Sequence, residues 1–553
     1  MSINFEFHKL KKITQESLYD SIEEKLGIHN SQVYLPFFNK HIKFHNKYSK
    51  KMFNLKGDYT ILEIIAVEDN TKKRLQGKIK LKLIKNEFYS KAKDFNDYKN
   101  YIIEKEVFIK SNPILDVLKF MEGDYEFNSI IPSNESNLTN KKINNPNNNA
   151  YIENMGCYIV NKLNKKNYTS IFPEYYGGFN GIAESYEHDI SEDYNFISND
   201  DWFNERNGVD FDLIYDNNLD EYQKLSLENL EKLDYKKEKQ EKKTDIEIEN
   251  LDEMLDEEEI EIDLEEIYKK EREDTSVHEL SGDENDISDE NDISSDNENS
   301  DITDDDSEAS WSTLNSDESV LCAEYWVKLK KVPIQILCME SYNLTLTDLE
   351  KEGINEDEWL SILFQICFGL SAAQEHIGFI HNDLHSDNIM FKKIDEEFKY
   401  FRYQDIYFRV PTFGKELKII DFARGIFKIK NQIYYSDVFE KNGDAGGQYG
   451  NPPSIHLKKK LNYNFDLARL STTIIEFFDS NSPIFDLLVE WTRYKEEGIE
   501  KNFNQLEDNF NLYVTITKYA RNSLPKNQLL KEIFNLFRIL PEDIPKDTLI
   551  YQF

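Results

Sequence analysis

The chain has 553 residues, with 105 acidic against 67 basic side chains and a formal net charge of -38. That length is too great for one core, so two or three units are expected. The charge excludes nucleic-acid binding through bulk electrostatics, since phosphates would be repelled, and it permits basic proteins as partners.

Four cysteines, Cys157, Cys322, Cys338 and Cys367, are scattered without metal-like pairing, which is expected of reduced thiols in an intracellular protein. Residues 1–5 show no basic-then-apolar signal pattern, and no apolar run is long enough to span a bilayer. A soluble protein with no membrane partner is therefore the expectation.

Residues 1–55 read as an N-terminal extension that mixes Lys, His and aromatic residues, with a helix over 15–26. A β-rich region follows over 56–182. The run Tyr-Thr-Ile-Leu-Glu-Ile-Ile-Ala-Val at 59–67 reads as a strand, and 78–84 alternates polar with apolar residues as a half-buried strand does. The polar connection starting at Glu68 makes the two a hairpin, and its nearest glycine is Gly77. A strand at 106–110 ends on Lys110, and after the Asn-rich linker 144–149 a helix over 150–163 carries Glu153. Residues 175–182 return the chain to the sheet.

From 183 to 319 hydrophobicity falls and acid accumulates, and the hexapeptide Asp-Glu-Asn-Asp-Ile-Ser at 283–288 is repeated at 289–294. Such a segment buries too little apolar surface to offset the entropy of ordering, so a disordered insertion is expected, with transient helix near 225–270. It reads either as a solubilising spacer or as an arm for basic partners.

Order returns over 320–340, with strand character at 325–329 and 334–341 that runs through Met339 and Glu340 to Tyr342. The remainder, 341–553, begins with a short helix at 345–352. Trp359, Leu363, Ile366, Leu370, Ala373 and Ile377 then recur at spacings of four and three, which lines one face of a helix, and Gly378 ends it. The stretch 379–391, Phe-Ile-His-Asn-Asp-Leu-His-Ser-Asp-Asn-Ile-Met-Phe, sets chemically able side chains between apolar runs and reads as an active-site loop. A buried strand at 417–420 leads straight into Asp421-Phe422-Ala423-Arg424-Gly425. Between these loops, residues 400–403 and 407–411 read as extra strands. A glycine-dense turn at 443–450 follows, then a central helix over 464–478 carrying Asp466, and helices over 482–493 and 528–540.

Asp383 and Asn388 in one loop, with Asp421 in the next, resemble the protein-kinase-like superfamily, whose catalytic loop reads His-x-Asp-x-x-x-x-Asn and whose metal-binding aspartate lies in Asp-Phe-Gly. The resemblance implies an α+β, bilobal protein-kinase-like fold with a small β-rich lobe and a large α-rich lobe, the disordered acidic insertion lying in the small lobe. It implies an ATP- and Mg²⁺-dependent phosphotransferase, with Mn²⁺ as a substitute metal, that acts as a divergent protein Ser/Thr kinase. Asp383 then orients the acceptor hydroxyl, His385 contacts the moving phosphate, and Asn388 and Asp421 hold metal. Lys110 holds the nucleotide phosphates and pairs with Glu153, Met339 gates the adenine pocket, and Glu340 and Tyr342 edge it. Asp466 matches the aspartate that braces the catalytic-loop backbone. The overall pattern is similar to divergent protein kinases of giant DNA viruses, which implies the host cytoplasm or the virion.

The departures from the family pattern carry their own expectations. Asn382 stands where an arginine reads activation-segment phosphate, so activity independent of that phosphorylation is expected. His385 replaces a lysine, a pattern that also resembles small-molecule kinases of the aminoglycoside and choline type. A Gly-x-Gly-x-x-Gly turn is missing from the first hairpin, which leaves open a pseudokinase scaffold with an acidic binding arm.

Overall fold

A computed structural model describes residues 3–43, 52–91, 97, 99–126, 137–215, 324–450, 452–453, 461–506 and 509–553. The chain divides into two compact units, Met1–Asp216 with Glu324–Phe553, and Asn217–Ala323. The second unit lies outside the described residues, and with it the repeat at 283–294, the helix near 225–270 and the expected disorder of that stretch.

The first unit is a mixed α+β structure. Its largest sheet is antiparallel, in the order Ile28–Gln32, Tyr175–Asp189, Tyr325–Met339, Ile102–Pro113, Gly77–Lys85, Tyr59–Val67, and Phe211–Tyr215 also pairs with Tyr325–Met339. Alternation explains the register. In Gly77–Lys85 the side chains of Ile79, Leu81 and Leu83 are buried, while Lys80 and Lys82 reach Glu104 at 2.6 Å and Glu63 at 2.7 Å on the flanking strands. The expected hairpin of 59–67 and 78–84 is present, but its connection is the helix Asp69–Arg74 and not an open turn.

Two expected boundaries shift. Residues 1–55 are not an appendage: the helix Lys12–Leu26, ended by Gly27 at φ 66, buries Leu18, Ile22 and Leu26 in the same cluster as Ile61 and Ile64, and Ile28–Gln32 forms the sheet edge. Nor does the sheet stop at 182. The strand Tyr175–Asp189 runs on with Ala183 and Tyr186 inward and Glu184 and Asp189 outward, and Tyr194, Phe203 and Phe211 bury beyond it. The acid there belongs to a solvent face, so composition alone placed the insertion too early.

The rest of the unit is built on the helix Glu356–Ile377. Asn355 caps its start by accepting from the Glu358 N–H at 3.0 Å, three acidic residues occupy its first turn, and Gly378 at φ 54 ends it. Leu363, Phe364, Phe368 and Leu370 pack in one core with Ile152, Met155 and Ile159 of the helix Asn149–Lys165. The expected extra strands form the hairpin Phe398–Tyr403 and Ile406–Pro411, flanked by Arg538–Ile539 and Ile550–Gln552. That pairing overrides the helix expected over 528–540. Only Pro525–Gln528 is α-helical, Glu532–Phe537 is a 3₁₀ turn, and Phe534 and Phe537 pack edge-to-face against Phe364 with ring centroids 5.5 and 5.6 Å apart. Among the described residues no helix is long and apolar enough to cross a membrane.

Candidate active site

The loop after Gly378 is tied to the segment after Asp421 by reciprocal backbone hydrogen bonds of 2.9 Å between Ile380 and Ile426. His381, fully buried, bridges the same two segments: its Nδ1 accepts from the Asp383 N–H at 3.3 Å and its Nε2–H donates to the Ile420 carbonyl at 2.7 Å. Asp466, on the helix Phe465–Ile474, accepts from the backbone N–H groups of His381 and Asn382 at 3.0 Å. Burial pushes its carboxyl up, with His381 and these N–H groups opposing. Its expected bracing contact is thus present.

Lys110, Glu153 and Asp421 meet although they come from a strand, a helix and a loop. Lys110 Nζ lies 2.8 Å from Asp421 Oδ1 and 3.4 Å from Glu153 Oε2, and Glu153 is wholly buried. The register explains why the lysine points inward, since Val107 and Ile109 face one side of the sheet and Phe108 and Lys110 the other. Burial pushes Glu153 up to about 7, Lys110 opposing and Asp421 reinforcing. At Asp421 burial also resists ionisation, but the adjacent Lys110 outweighs it and holds the carboxyl well below the usual range. Lys110 is desolvated too, yet its two carboxylates keep it protonated. Asp421 itself has φ 68, a left-handed conformation that a non-glycine residue adopts at some cost.

The approach of the Glu153 helix to this loop depends on Gly156. A Cβ there would stand 2.7 Å from the Cβ of Phe422, so a side chain at that position would push the two segments apart.

Asn388 lies in the turn Ser386–Asn388. Its side-chain amide donates to the Asp383 carbonyl at 2.9 Å, and its backbone carbonyl accepts from the Ile420 N–H at 3.0 Å, one residue before Asp421. His385 caps the same turn: Nδ1 accepts from the Asp387 N–H at 3.3 Å, and Nε2 lies 2.9 Å from the Asn388 amide. Burial lowers its pKa, with Asp383 opposing. The ring is therefore engaged by its own loop, where it supports Asn388.

Met339 ends the strand opposite Lys110, and Glu340 and Tyr342 follow it. Lys110 pairs with Leu337 and Phe108 with Met339, which is buried. Glu340 turns its carboxylate to Lys392 and to the Tyr342 hydroxyl at 2.9 Å, and its N–H donates to the Glu174 carbonyl at 3.0 Å. These contacts tie the residues after Met339 to Glu174 and Lys392.

Asn382, marked in the sequence only as the replacement of an arginine, and two residues that sequence reasoning did not single out complete the site. Asn382, at φ 64 and buried, accepts from the Tyr449 hydroxyl and donates to the Arg424 carbonyl at 3.0 Å, so it holds the segment after Asp421 without a charge. Asp437 accepts from Lys142 Nζ at 2.7 Å, the Asn145 amide at 3.1 Å and the Asn149 N–H at 3.0 Å, fastening the same segment to the start of the Glu153 helix. Tyr513, on the helix Asn509–Tyr519, donates its hydroxyl hydrogen to Asp383 Oδ1 at 2.5 Å. Asp437 and Tyr513 lie far in sequence from their partners, with no local pattern to mark them.

No protein-family model matches the chain, and no curated protein is similar to it.

Proposed function

We propose that the chain is an ATP- and Mg²⁺-dependent phosphotransferase with the bilobal protein-kinase-like arrangement, acting on a protein Ser/Thr hydroxyl. The observation that carries this reading is the meeting of Lys110, Glu153 and Asp421 beside the Asp383 loop. Phosphoryl transfer asks a protein chiefly for positioning and for charge aimed at the phosphates. An ammonium held by a buried carboxylate supplies a fixed cation, and Asp383 supplies an oxygen that orients the acceptor and takes up its proton.

The residues present suit a hard cation. Asp421 offers a carboxylate, and the Asn388 amide spends its N–H on the Asp383 carbonyl, which leaves its oxygen for a ligand role. Among the described residues no cluster of three or more His, Cys, Asp and Glu side chains forms a metal cage, so Mg²⁺ here would arrive with nucleotide phosphates and water as its other ligands. When bound, the metal would neutralise charge on the transferring phosphate. Lys110 would then exchange its pairing with Asp421 for phosphate while keeping Glu153.

Nucleotide binding tests this directly. Titration of Mg-ATP into wild type, Lys110→Met and Asp421→Asn should give binding that weakens about tenfold or more in each variant. Affinity that is equal in all three, or independent of Mg²⁺, would count against the reading. A second reading, a scaffold that transfers no phosphate, is favoured by one feature: the helix Asp69–Arg74 stands where a glycine-rich turn would let backbone N–H groups approach phosphates. Absence of any nucleotide affinity in folded protein would select it.

A further inference from the structure

We infer that Tyr513 is a self-phosphorylation site, the chain's own first acceptor, and that Arg424 and Arg469 are the receptor for the phosphate it gains. This rests on the phosphotransferase reading above. Asp383 is the group that orients an acceptor hydroxyl, and the hydroxyl it holds is that of Tyr513, at 2.5 Å. The contact is not incidental to a mobile side chain. The helix Asn509–Tyr519 is anchored by the Asn462 amide, which donates to the carbonyls of Ile516, Thr517 and Ala520 at 3.2, 3.1 and 3.0 Å, and by Gln448, which donates to Thr517 Oγ1 at 3.2 Å.

The surroundings of the ring suit an anion. The Arg424 guanidinium lies 5.4 Å from the ring centroid, with its Nε 3.9 Å from Asp383 Oδ2, and the Arg469 guanidinium lies 5.1 Å from the centroid. Arg469 donates through Nη1 to Thr472 Oγ1 at 3.1 Å, whereas its Nε–H is buried with no acceptor in hydrogen-bond geometry among the described residues. A buried guanidinium donor without a partner is costly, and a phosphate oxygen is the acceptor that such a fork binds best. Burial and the Asp383 charge raise the Tyr513 pKa, with Arg469 opposing.

The step balances with ATP as the donor. The bond from the γ-phosphorus to the bridging oxygen of ADP breaks as the bond from Tyr513 Oη to phosphorus forms. The phenolic proton passes to Asp383 and then to water, and ADP leaves. The product carries nearly two negative charges beside the Asp383 carboxylate, which repels it toward Arg424 and Arg469. That displacement frees Asp383 for an external acceptor, so the first turnover on Tyr513 opens the site.

The test uses the full chain, treated with phosphatase, then incubated with Mg-ATP and read by phosphopeptide mass spectrometry over about a tenfold dilution range. Phosphate should appear on Tyr513 at a first-order rate independent of protein concentration. It should be absent in Tyr513→Phe and Asp383→Asn, and Arg469→Gln should slow it about tenfold. Label on an added protein acceptor with Tyr513 unmodified would overturn this inference and spare the phosphotransferase reading. A rate proportional to protein concentration would overturn the intramolecular step. No label on any acceptor would overturn both.

Discussion

Lys110 Nζ sits closer to Asp421 Oδ1, at 2.8 Å, than to its Glu153 partner, at 3.4 Å. Two carboxylates thus share one ammonium in a largely buried place, and their environments push them apart: Asp421 stays ionised while Glu153 takes up a proton near pH 7. The lysine serves as the counter-charge of Asp421, and under the proposed function Glu153 would keep its position once phosphate is bound.

Stability should follow that division. The Glu153 carboxyl titrates higher in the folded chain, at about 7, than the ordinary 4.5, so folding favours its protonated form. Its contribution is fully present below about pH 4.5 and is lost as pH rises through about 7. Asp421 shifts the other way, so its contribution stays constant over pH 5 to 8 and fades only in acid. Glu153→Gln removes the titration. Its stability relative to wild type should rise between pH 5 and 8 by about 1–3 kcal/mol in urea denaturation, and a difference that stays flat would contradict the assignment.

Gly156 should tolerate no larger residue without loss of the site. Alanine gains about 0.5–1 kcal/mol in helix propensity, but its Cβ meets the Phe422 Cβ at 2.7 Å, so overpacking of about 1–3 kcal/mol dominates. Gly156→Val adds more bulk and forgoes the propensity gain. It should lower stability further and cut phosphotransfer more than nucleotide-independent properties such as circular dichroism. An unchanged transfer rate would show that the helix can recede without consequence.

Asp437 acts as an outside cap for the Glu153 helix. Asp437→Asn keeps the shape but halves the acceptors and removes the charge facing Lys142, at an expected cost of about 1–3 kcal/mol. Hydrogen exchange should show faster exchange at the Asn149 and Ala150 amides while the helix Glu356–Ile377 is unaffected. Equal protection in both proteins would remove Asp437 from the positioning of Glu153.

The loops that carry Asp383, Asn388 and Asp421 were legible because their signal is local. Asp383, Asn388 and Asp421 sit in short polar runs bounded by an apolar helix and an apolar strand, and Lys110 and Glu153 were found by their order along the chain. What stayed hidden depends on contacts across long separations. Tyr513 meets Asp383 over 130 residues and Lys142 meets Asp437 over 295, and neither distance leaves a periodic trace. The sheet's extension to Asp189 was masked because its outward residues are acidic, like the segment that follows. At 528–540 the apolar spacing suited a helix, but pairing of Arg538–Ile539 with the hairpin strand Ile406–Pro411 decided the outcome.

The most direct measurement is transfer of labelled γ-phosphate from Mg-ATP to acidic and basic protein acceptors, and to amino and hydroxyl metabolites, by wild type beside Asp383→Asn. Label on a protein acceptor that falls by about 10²–10⁴-fold in the variant is the expected result. Equal label from both proteins, or none from folded wild type with either Mg²⁺ or Mn²⁺, would contradict catalysis at Asp383.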